Sequence, residues 1–139
     1  MSEEAGITPD SWRRILHECG GLVLAVTSTS MKPTLLPGDK VHVVATTMAD
    51  LESGDVAVYD RSGELICHRL LRGGNFRGDN CLDNDPPVEP SSVVGKVVRI
   101  ERNGATVDDQ AWRRMGNRLR FLLHACVLDR LRSTEGGTS

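Results

Sequence analysis

A serine, a histidine and a group of aspartates in this sequence are of the residue types that nucleophilic catalysis requires. Ser30 lies between two apolar runs, Leu22 to Val26 and Val41 to Ala45, in a loop that contains two prolines and a Gly-Asp turn. Such a loop presents the serine hydroxyl to its surroundings. Because a serine hydroxyl is a weak nucleophile at its ordinary pKa, it needs a base held close to it.

His68 is the candidate base. It lies in a predicted strand, Leu65 to Leu71, within the same β-rich region as Ser30, and imidazole has the side-chain pKa best suited to proton transfer near neutral pH. Taken alone, His68 would be interpreted as a surface histidine on a strand. Ser30 taken alone would be interpreted as a turn residue. The functional interpretation of each residue therefore depends on the other.

Three aspartates, Asp79, Asp83 and Asp85, follow in one stretch rich in Asp and Pro. A carboxylate from this stretch could orient His68 and stabilise its charged form. The same residues also fit ordinary turn chemistry, because Asp side chains accept hydrogen bonds from nearby backbone N–H groups. The residues alone leave open which of the three would contact His68.

The composition predicts a single domain that is not a nucleic-acid binder. The chain has 139 residues, a net charge of −2 and an aromatic content of 4%, so it offers neither a basic surface nor a base-stacking surface. The four cysteines lack metal or redox spacing, and no secretory signal segment precedes them, so we expect reduced thiols and a cytoplasmic location. No apolar run approaches the roughly 20 residues that span a bilayer. We expect no metal and no cofactor.

The elements that must position these residues are predicted to be mainly strands between residues 22 and 107. Two Gly-Asp turns, each followed by an alternating apolar run, indicate a meandering antiparallel sheet. A further short strand is expected from Phe76 to Leu82. Hairpin turns are predicted at Ser62-Gly63 and Asn103-Gly104.

A helix is predicted at each end of this β region. Residues 8–19 begin with Thr8, Pro9 and Asp10, a typical helix start. Residues 110–132 have apolar side chains at helical spacing and six arginines, which predicts a basic amphipathic helix, and residues 133–139 are expected to be disordered. The basic helix could pack on a protein, contact an anionic membrane surface peripherally or, least favoured, bind nucleic acid.

Four motifs in this chain resemble those of the signal peptidases and related serine peptidases, a superfamily that includes the LexA-like proteins. Bacterial signal peptidases and LexA-like proteins have a lysine base in the second motif, whereas this chain has His68, as in the archaeal and endoplasmic-reticulum type. The motifs, over residues 22–101, are Ser28-x-Ser30-Met31-x-Pro33-Thr34-Leu35 with Gly38-Asp39, Gly54-Asp55-Val56-x-Val58-Tyr59 with His68-Arg69-Leu70, Gly78-Asp79-Asn80 with Asp85, and Gly95-Lys96-Val97.

This resemblance implies an antiparallel, mainly β catalytic core and a role for each matched residue. Ser30 would be the nucleophile and His68 the general base. Asp85 would be the third member, because its offset from Asp79 matches that type, and Asp79 would be a supporting acid at or near the site. The oxyanion hole would be formed by the Ser30 N–H and the Ser28 hydroxyl.

The resemblance further implies a serine endopeptidase, here without a transmembrane anchor, that cuts a protein or leader peptide. The substrate would bind in extended form beside a strand such as Leu22 to Val26, with small residues near the cut. The alternative is a non-catalytic peptide-binding module for maturation or delivery of a dedicated partner. Thr29 stands where many relatives have glycine, and its β-branched side chain restricts the backbone there. A LexA-like self-cleaving regulator ranks last, because the lysine base and a DNA-binding domain are missing.

Overall fold

The structure, a computed structural model, describes residues 7–107, of which 38% are in strands and 17% in helices. This confirms the predicted mainly β fold with an N-terminal helix. The predicted C-terminal helix (110–132) and tail (133–139) lie outside the described residues. The elements are α1 (Pro9–Cys19), β1 (Leu22–Ala25), β2 (Lys40–Ala45), β3 (Val56–Arg61), β4 (Glu64–Leu70), β5 (Phe76–Arg77), β6 (Val93–Arg102) and β7 (Ala105–Val107), with short 3-10 helices at Met48–Asp50 and Pro90–Ser92.

All strands belong to one curled antiparallel sheet whose order is β1-β2-β6-β3-β4-β5, with β7 paired to β6. The predicted meander is therefore wrong in one respect, because β6 lies between β2 and β3. At ten residues, β6 is long enough to pair with both neighbours. The register of β6 shifts by one residue against each of them, and such bulges increase the local bend of a sheet.

The buried apolar residues of the described chain form two clusters, and the larger one anchors both the helix and the Ser30 loop. Leu16 of α1 is buried there, and Met31 and Leu35, which follow Ser30 in the loop, are 2% and 0% exposed. Burying side chains of this size contributes about 1.5–3 kcal/mol each. The loop that carries Ser30 is thus fixed by its own apolar residues.

Local sequence signals explain the start of α1 and the tight turns. The Thr8 hydroxyl accepts a hydrogen bond from the Ser11 N–H at 3.1 Å, as expected of a helix cap. The predicted hairpin turns at Ser62-Gly63 and Asn103-Gly104 are confirmed, and all four residues have positive φ. Two consecutive positive φ values match the twist of antiparallel strands.

The strand predicted from Phe76 to Leu82 is only two residues long, Phe76–Arg77. After Arg77 the chain leaves the sheet and turns toward the Ser30 loop, where the Asn80 N–H donates to the Ser30 carbonyl at 2.9 Å. A contact between two loops satisfies this backbone group in place of a sheet partner.

An ion pair fixes the other end of the Ser30 loop. Arg102 of β6 donates to both carboxylate oxygens of Asp39 at 2.9 and 2.8 Å, and to the Thr34 carbonyl at 3.1 Å. Burial alone would raise the pKa of Asp39, but hydrogen bonds from Arg102 and the Leu36 N–H outweigh it, so the pKa lies below its ordinary value. The Ser30 loop is therefore held to the sheet by its buried Met31 and Leu35 and, at its end, by the ion pair of Asp39 with Arg102.

Gly95 provides a test of how tightly β6 packs against β2. A Cβ atom there would lie 2.6 Å from the Val43 Cγ1 and 2.8 Å from the Val44 carbonyl oxygen. We expect Gly95→Ala to lower the free energy of unfolding by about 1–3 kcal/mol, the usual cost of overpacking. Urea denaturation measures this change. Thr106→Ala, at an exposed position of β7, is the control and should change it by less than about 0.5 kcal/mol. Equal stability of the two variants would contradict the packing described.

Candidate active site

Ser30, His68 and Asp85 form a continuous hydrogen-bonded chain. The Ser30 Oγ lies 3.0 Å from the His68 Nε2, and the His68 Nδ1 lies 2.6 Å from the Asp85 Oδ2. The three residues come from the loop after β1, from β4 and from the loop after β5. With its proton on Nδ1, the imidazole can donate to Asp85 and accept the Ser30 proton at Nε2.

Of the three candidate aspartates, Asp85 alone contacts His68. Its side chain is 7% exposed, and its backbone N–H donates to the Phe76 carbonyl at 2.7 Å, which fixes the loop beside β5. Asp83 is exposed, and none of the described hydrogen bonds joins it to His68. The geometry thus separates residues that the sequence left equivalent.

Asp79 lies close to the hydrogen-bonded Ser30, His68 and Asp85, but its carboxylate binds a different residue, Arg69. Its carboxylate accepts two hydrogen bonds from Arg69, at 2.9 and 2.7 Å, and one from the Thr34 hydroxyl at 2.5 Å. Arg69 is 0% exposed and also donates to the Gly54 carbonyl at 2.7 Å. Asp79 therefore neutralises a buried guanidinium immediately next to His68 in β4, and it makes no described hydrogen bond to His68 itself.

Two residues to which the sequence reasoning gave no role, Tyr59 and Arg61, complete the surroundings of Asp85. The Tyr59 hydroxyl donates to the Asp85 Oδ2 at 2.5 Å, and the Arg61 Nη2 donates to the Tyr59 oxygen at 2.5 Å. The only sequence signal was the position of Tyr59 in the Gly54-Asp55 motif. Burial first, and then the hydrogen bond to Asp85 and its charge, raise the pKa of Tyr59, so the phenol stays protonated.

Ser28 lies beside the candidate nucleophile. Its Oγ is 3.1 Å from the Ser30 Oγ and accepts the Ser30 N–H at 3.3 Å. At 3.3 Å this contact is longer than the usual N–H···O hydrogen bond, so it is a weak one. Among the described residues other than glycine, positive φ occurs at Ser62 and Asn103. Thr29 thus has negative φ, and the loop does not require glycine there.

The Gly78-Asp79-Asn80 turn packs directly onto the Ser30 loop. The Asn80 side-chain amide donates to the Thr29 carbonyl at 3.1 Å, and its backbone N–H donates to the Ser30 carbonyl. A Cβ atom on Gly78 would lie 2.5 Å from the Ser30 carbonyl oxygen and 3.0 Å from the His68 Nε2. Only glycine permits this close approach. The sequence predicted the turn but could not show what it touches.

A groove of about 450 Å³ leads away from Ser30 and His68. One wall is residues 24–28 and the other is residues 64–68, above an apolar floor that includes Leu35 and Val58. β1 is an edge strand, and β5 pairs only with Arg69 and Leu70 of β4. Within residues 7–107, two strand edges without a pairing partner therefore border the groove, and an extended chain could pair with their N–H and C=O groups.

The cysteines near the site are poorly suited to replace Ser30 as nucleophile. Burial raises the pKa of the Cys67 thiol to about 12. Burial, followed by the charge of Asp85, also raises the pKa of Cys81, whose Sγ lies 3.8 Å from the Ser30 carbonyl oxygen. Because the thiolate is the reactive form, both side chains are held in the unreactive state.

No protein-family model, curated protein or solved structure matches this chain. Within residues 7–107, no helix is long and apolar enough to cross a membrane. The same residues contain no group of three or more His, Cys, Asp or Glu side chains arranged to hold a metal ion. The function of the protein must therefore be inferred from the geometry of the site itself.

The close approach at Gly78 gives a first prediction for the site. In Gly78→Ala the new methyl group must displace the Ser30 carbonyl or the His68 imidazole, so the hydrogen bond between Ser30 and His68 should be lost. We expect labelling of Ser30 by a fluorophosphonate to slow by at least roughly tenfold, because the base is no longer in contact with the hydroxyl. Leu82→Ala is the control, since Leu82 lies in the same loop as Gly78 and is 53% exposed. Labelling at an unchanged rate in Gly78→Ala would contradict this geometry.

The two aspartates should differ in what their removal costs. Asp79→Asn leaves the buried Arg69 without a full counter-charge, which should destabilise the fold by about 3 kcal/mol or more. Asp85→Asn should cost less stability but slow Ser30 labelling by at least roughly a hundredfold, because His68 loses the group that orients it. Urea denaturation and the labelling rate of both variants provide the comparison. The reverse ranking would show that the roles have been assigned to the wrong aspartates.

Proposed function

We propose that this protein is a serine endopeptidase of the signal peptidase-like superfamily that cuts an extended protein or leader peptide. The observation that carries the proposal is the chain from Ser30 to His68 to Asp85, with distances of 3.0 and 2.6 Å, at one end of a groove bordered by two unpaired strand edges. A nucleophile, a base and a peptide-sized channel occur together in one place. The motifs of the sequence agree with this function.

The proposed reaction is acyl transfer in two steps. The Ser30 Oγ attacks the peptide carbonyl while the His68 Nε2 takes its proton, and Asp85 stabilises the imidazolium that results. His68 then protonates the leaving amine. In the second step, water attacks the acyl-enzyme with His68 again as base, and the Ser30 Oγ leaves with the proton.

The carbonyl oxygen becomes negatively charged during both steps and needs donors beside Ser30. The Ser30 N–H and the Ser28 hydroxyl are the proposed pair of donors, since the Ser30 nitrogen lies 3.3 Å from the Ser28 Oγ. When the oxyanion forms, the substrate oxygen replaces the Ser28 oxygen as the acceptor of the Ser30 N–H. One such donor contributes roughly 3 kcal/mol to transition-state stabilisation.

The groove suits an extended peptide of about four residues on one side of the cut, since residues 64–68 extend over about 13 Å at roughly 3.3 Å per residue. Backbone groups of the peptide would pair with β1, with β4 or with both. Alternate side chains would face the apolar floor, which favours small or apolar residues near the cut. Binding of this kind depends on the extended backbone of the peptide more than on its sequence.

A reactive-serine probe tests this function directly. A fluorophosphonate should label the wild-type protein at Ser30 and leave Ser30→Ala unlabelled, as shown by mass spectrometry of the modified peptide. Ser91→Ala, at an exposed position far along the chain, is the matched control and should be labelled like the wild type. The melting temperature of Ser30→Ala should be nearly unchanged, since the Ser30 side chain lies at the surface end of the network.

The pH dependence and a peptide digest complete the test. A base must be unprotonated to accept the Ser30 proton, so labelling and cleavage should decrease as the solution is made acidic. Digestion of a denatured proteome, followed by sequencing of new termini, should show cuts that are absent with Ser30→Ala. Retention of peptides without labelling or cleavage would favour the non-catalytic binding module instead.

A further inference from the structure

We propose that Tyr59, oriented by Arg61, is a positioning residue for Asp85: it holds the carboxylate against His68 and takes up part of its negative charge. This inference rests on the proposed function for its catalytic consequence. Its physical content is a coupling between Tyr59, Asp85 and His68 that can be measured without any substrate.

The geometry places two donors on one carboxylate oxygen. The Asp85 Oδ2 lies 2.5 Å from the Tyr59 hydroxyl and 2.6 Å from the His68 Nδ1. A hydrogen bond to a charged acceptor at such a distance is of the strong, charge-assisted kind. The same oxygen that stabilises an imidazolium is thus already engaged by a phenol.

Arg61 fixes the phenol in this orientation. Its Nη2 donates to the Tyr59 oxygen at 2.5 Å, so the phenolic hydrogen is directed away from Arg61 and toward Asp85. The guanidinium carbon also lies 5.5 Å from the centre of the Tyr59 ring, in cation–π range. The Arg61 Nη2 is 3.7 Å from the Asp85 Oδ2, so its positive charge acts on the carboxylate as well.

The ring of Tyr59 is held independently of its hydroxyl. Tyr59 is 2% exposed and packs against Phe76, with ring centres 5.2 Å apart. Removing only the hydroxyl should therefore leave the packing in place. This makes Tyr59→Phe a change in hydrogen bonding rather than a change in shape.

Within residues 7–107, the charged and titratable groups that face Asp85 come from three segments. His68 approaches from β4, Tyr59 and Arg61 from β3, and the Cys81 thiol from the loop that carries Asp85 itself. Tyr59 and Arg61 both draw negative charge away from the carboxylate. His68 therefore faces a carboxylate whose charge is partly taken up by other groups, and removal of either donor should strengthen the interaction between Asp85 and His68.

Tyr59 remains a hydrogen-bond donor throughout the neutral pH range. Burial and the neighbouring Asp85 raise the pKa of the phenol above its ordinary value. Tyr59 is also the sole tyrosine in the chain, so the tyrosinate absorbance of the whole protein reports on this residue alone. The network thus contains its own spectroscopic reporter.

The first experiment follows the titration of His68 by NMR, with its signal identified through His68→Gln. In Tyr59→Phe, the pKa of His68 should rise by roughly half a unit, because the carboxylate regains its full charge. Arg61→Gln should shift it in the same direction by a smaller amount. Phe76→Leu disturbs the packing of the same ring without touching a hydrogen bond and is the matched control. An unchanged or lower pKa in Tyr59→Phe, or an equal shift in Phe76→Leu, would overturn the inference.

The second experiment uses the absorbance of tyrosinate. Replacing the carboxylate in Asp85→Asn should lower the pKa of Tyr59, since the negative charge that opposes its ionisation is gone. An unchanged titration of Tyr59 in Asp85→Asn would also overturn the proposed coupling between the two residues. Neither measurement depends on cleavage, so a coupled but unreactive protein would refute the peptidase function and leave the coupling intact.

The third experiment separates positioning from binding. For any peptide found to be cut, Tyr59→Phe should lower kcat by roughly threefold to tenfold with KM unchanged, and the acid limb of the pH profile should move upward with the His68 pKa. A change in KM alone would show that Tyr59 shapes the groove rather than the base, and would overturn the proposed role.

Discussion

The arrangement around Ser30 depends on the burial of one guanidinium. Arg69 is fully buried next to His68, and such a charge is tolerated only when it is paired and hydrogen-bonded. Asp79, Thr34 and the Gly54 carbonyl supply those partners. These contacts join β4 to the loop after β5 and to the Ser30 loop. Because breaking the pair would leave an uncompensated buried charge, the three segments are held together at a fixed distance.

That constraint explains why the site tolerates so little change. With Asp79 fixed, Gly78 is forced against the Ser30 carbonyl and the His68 imidazole, with no room for a methyl group. With the same loop fixed at its start, Asp85 reaches His68 and meets Tyr59. A buried structural ion pair and the candidate catalytic network are therefore two parts of one loop, and stability and reactivity should be linked through it.

The sheet contributes the groove in which the proposed peptide substrate would bind. The insertion of β6 between β2 and β3 curls the sheet so that the β1 and β4 edges border a groove above an apolar floor. Exposed strand edges usually invite aggregation. Here they flank Ser30 and His68, where pairing with an extended chain would bring its backbone to the nucleophile.

The sequence by itself determined the mainly β fold, the N-terminal helix, the positive-φ hairpin turns and the order of Ser30, His68 and the aspartates, because these follow from local periodicity, capping and turn chemistry. Only the tertiary structure decided the position of β6, the shortness of β5 and the contacts of Tyr59 and Arg61. It also decided which residue each aspartate contacts, which turn chemistry had left open and the motif offset had favoured only for Asp85. Each of these depends on contacts between segments far apart in the chain. Local sequence patterns do not determine such contacts, because an aspartate in a turn has the same local sequence context whether its side chain contacts an arginine, a histidine or solvent.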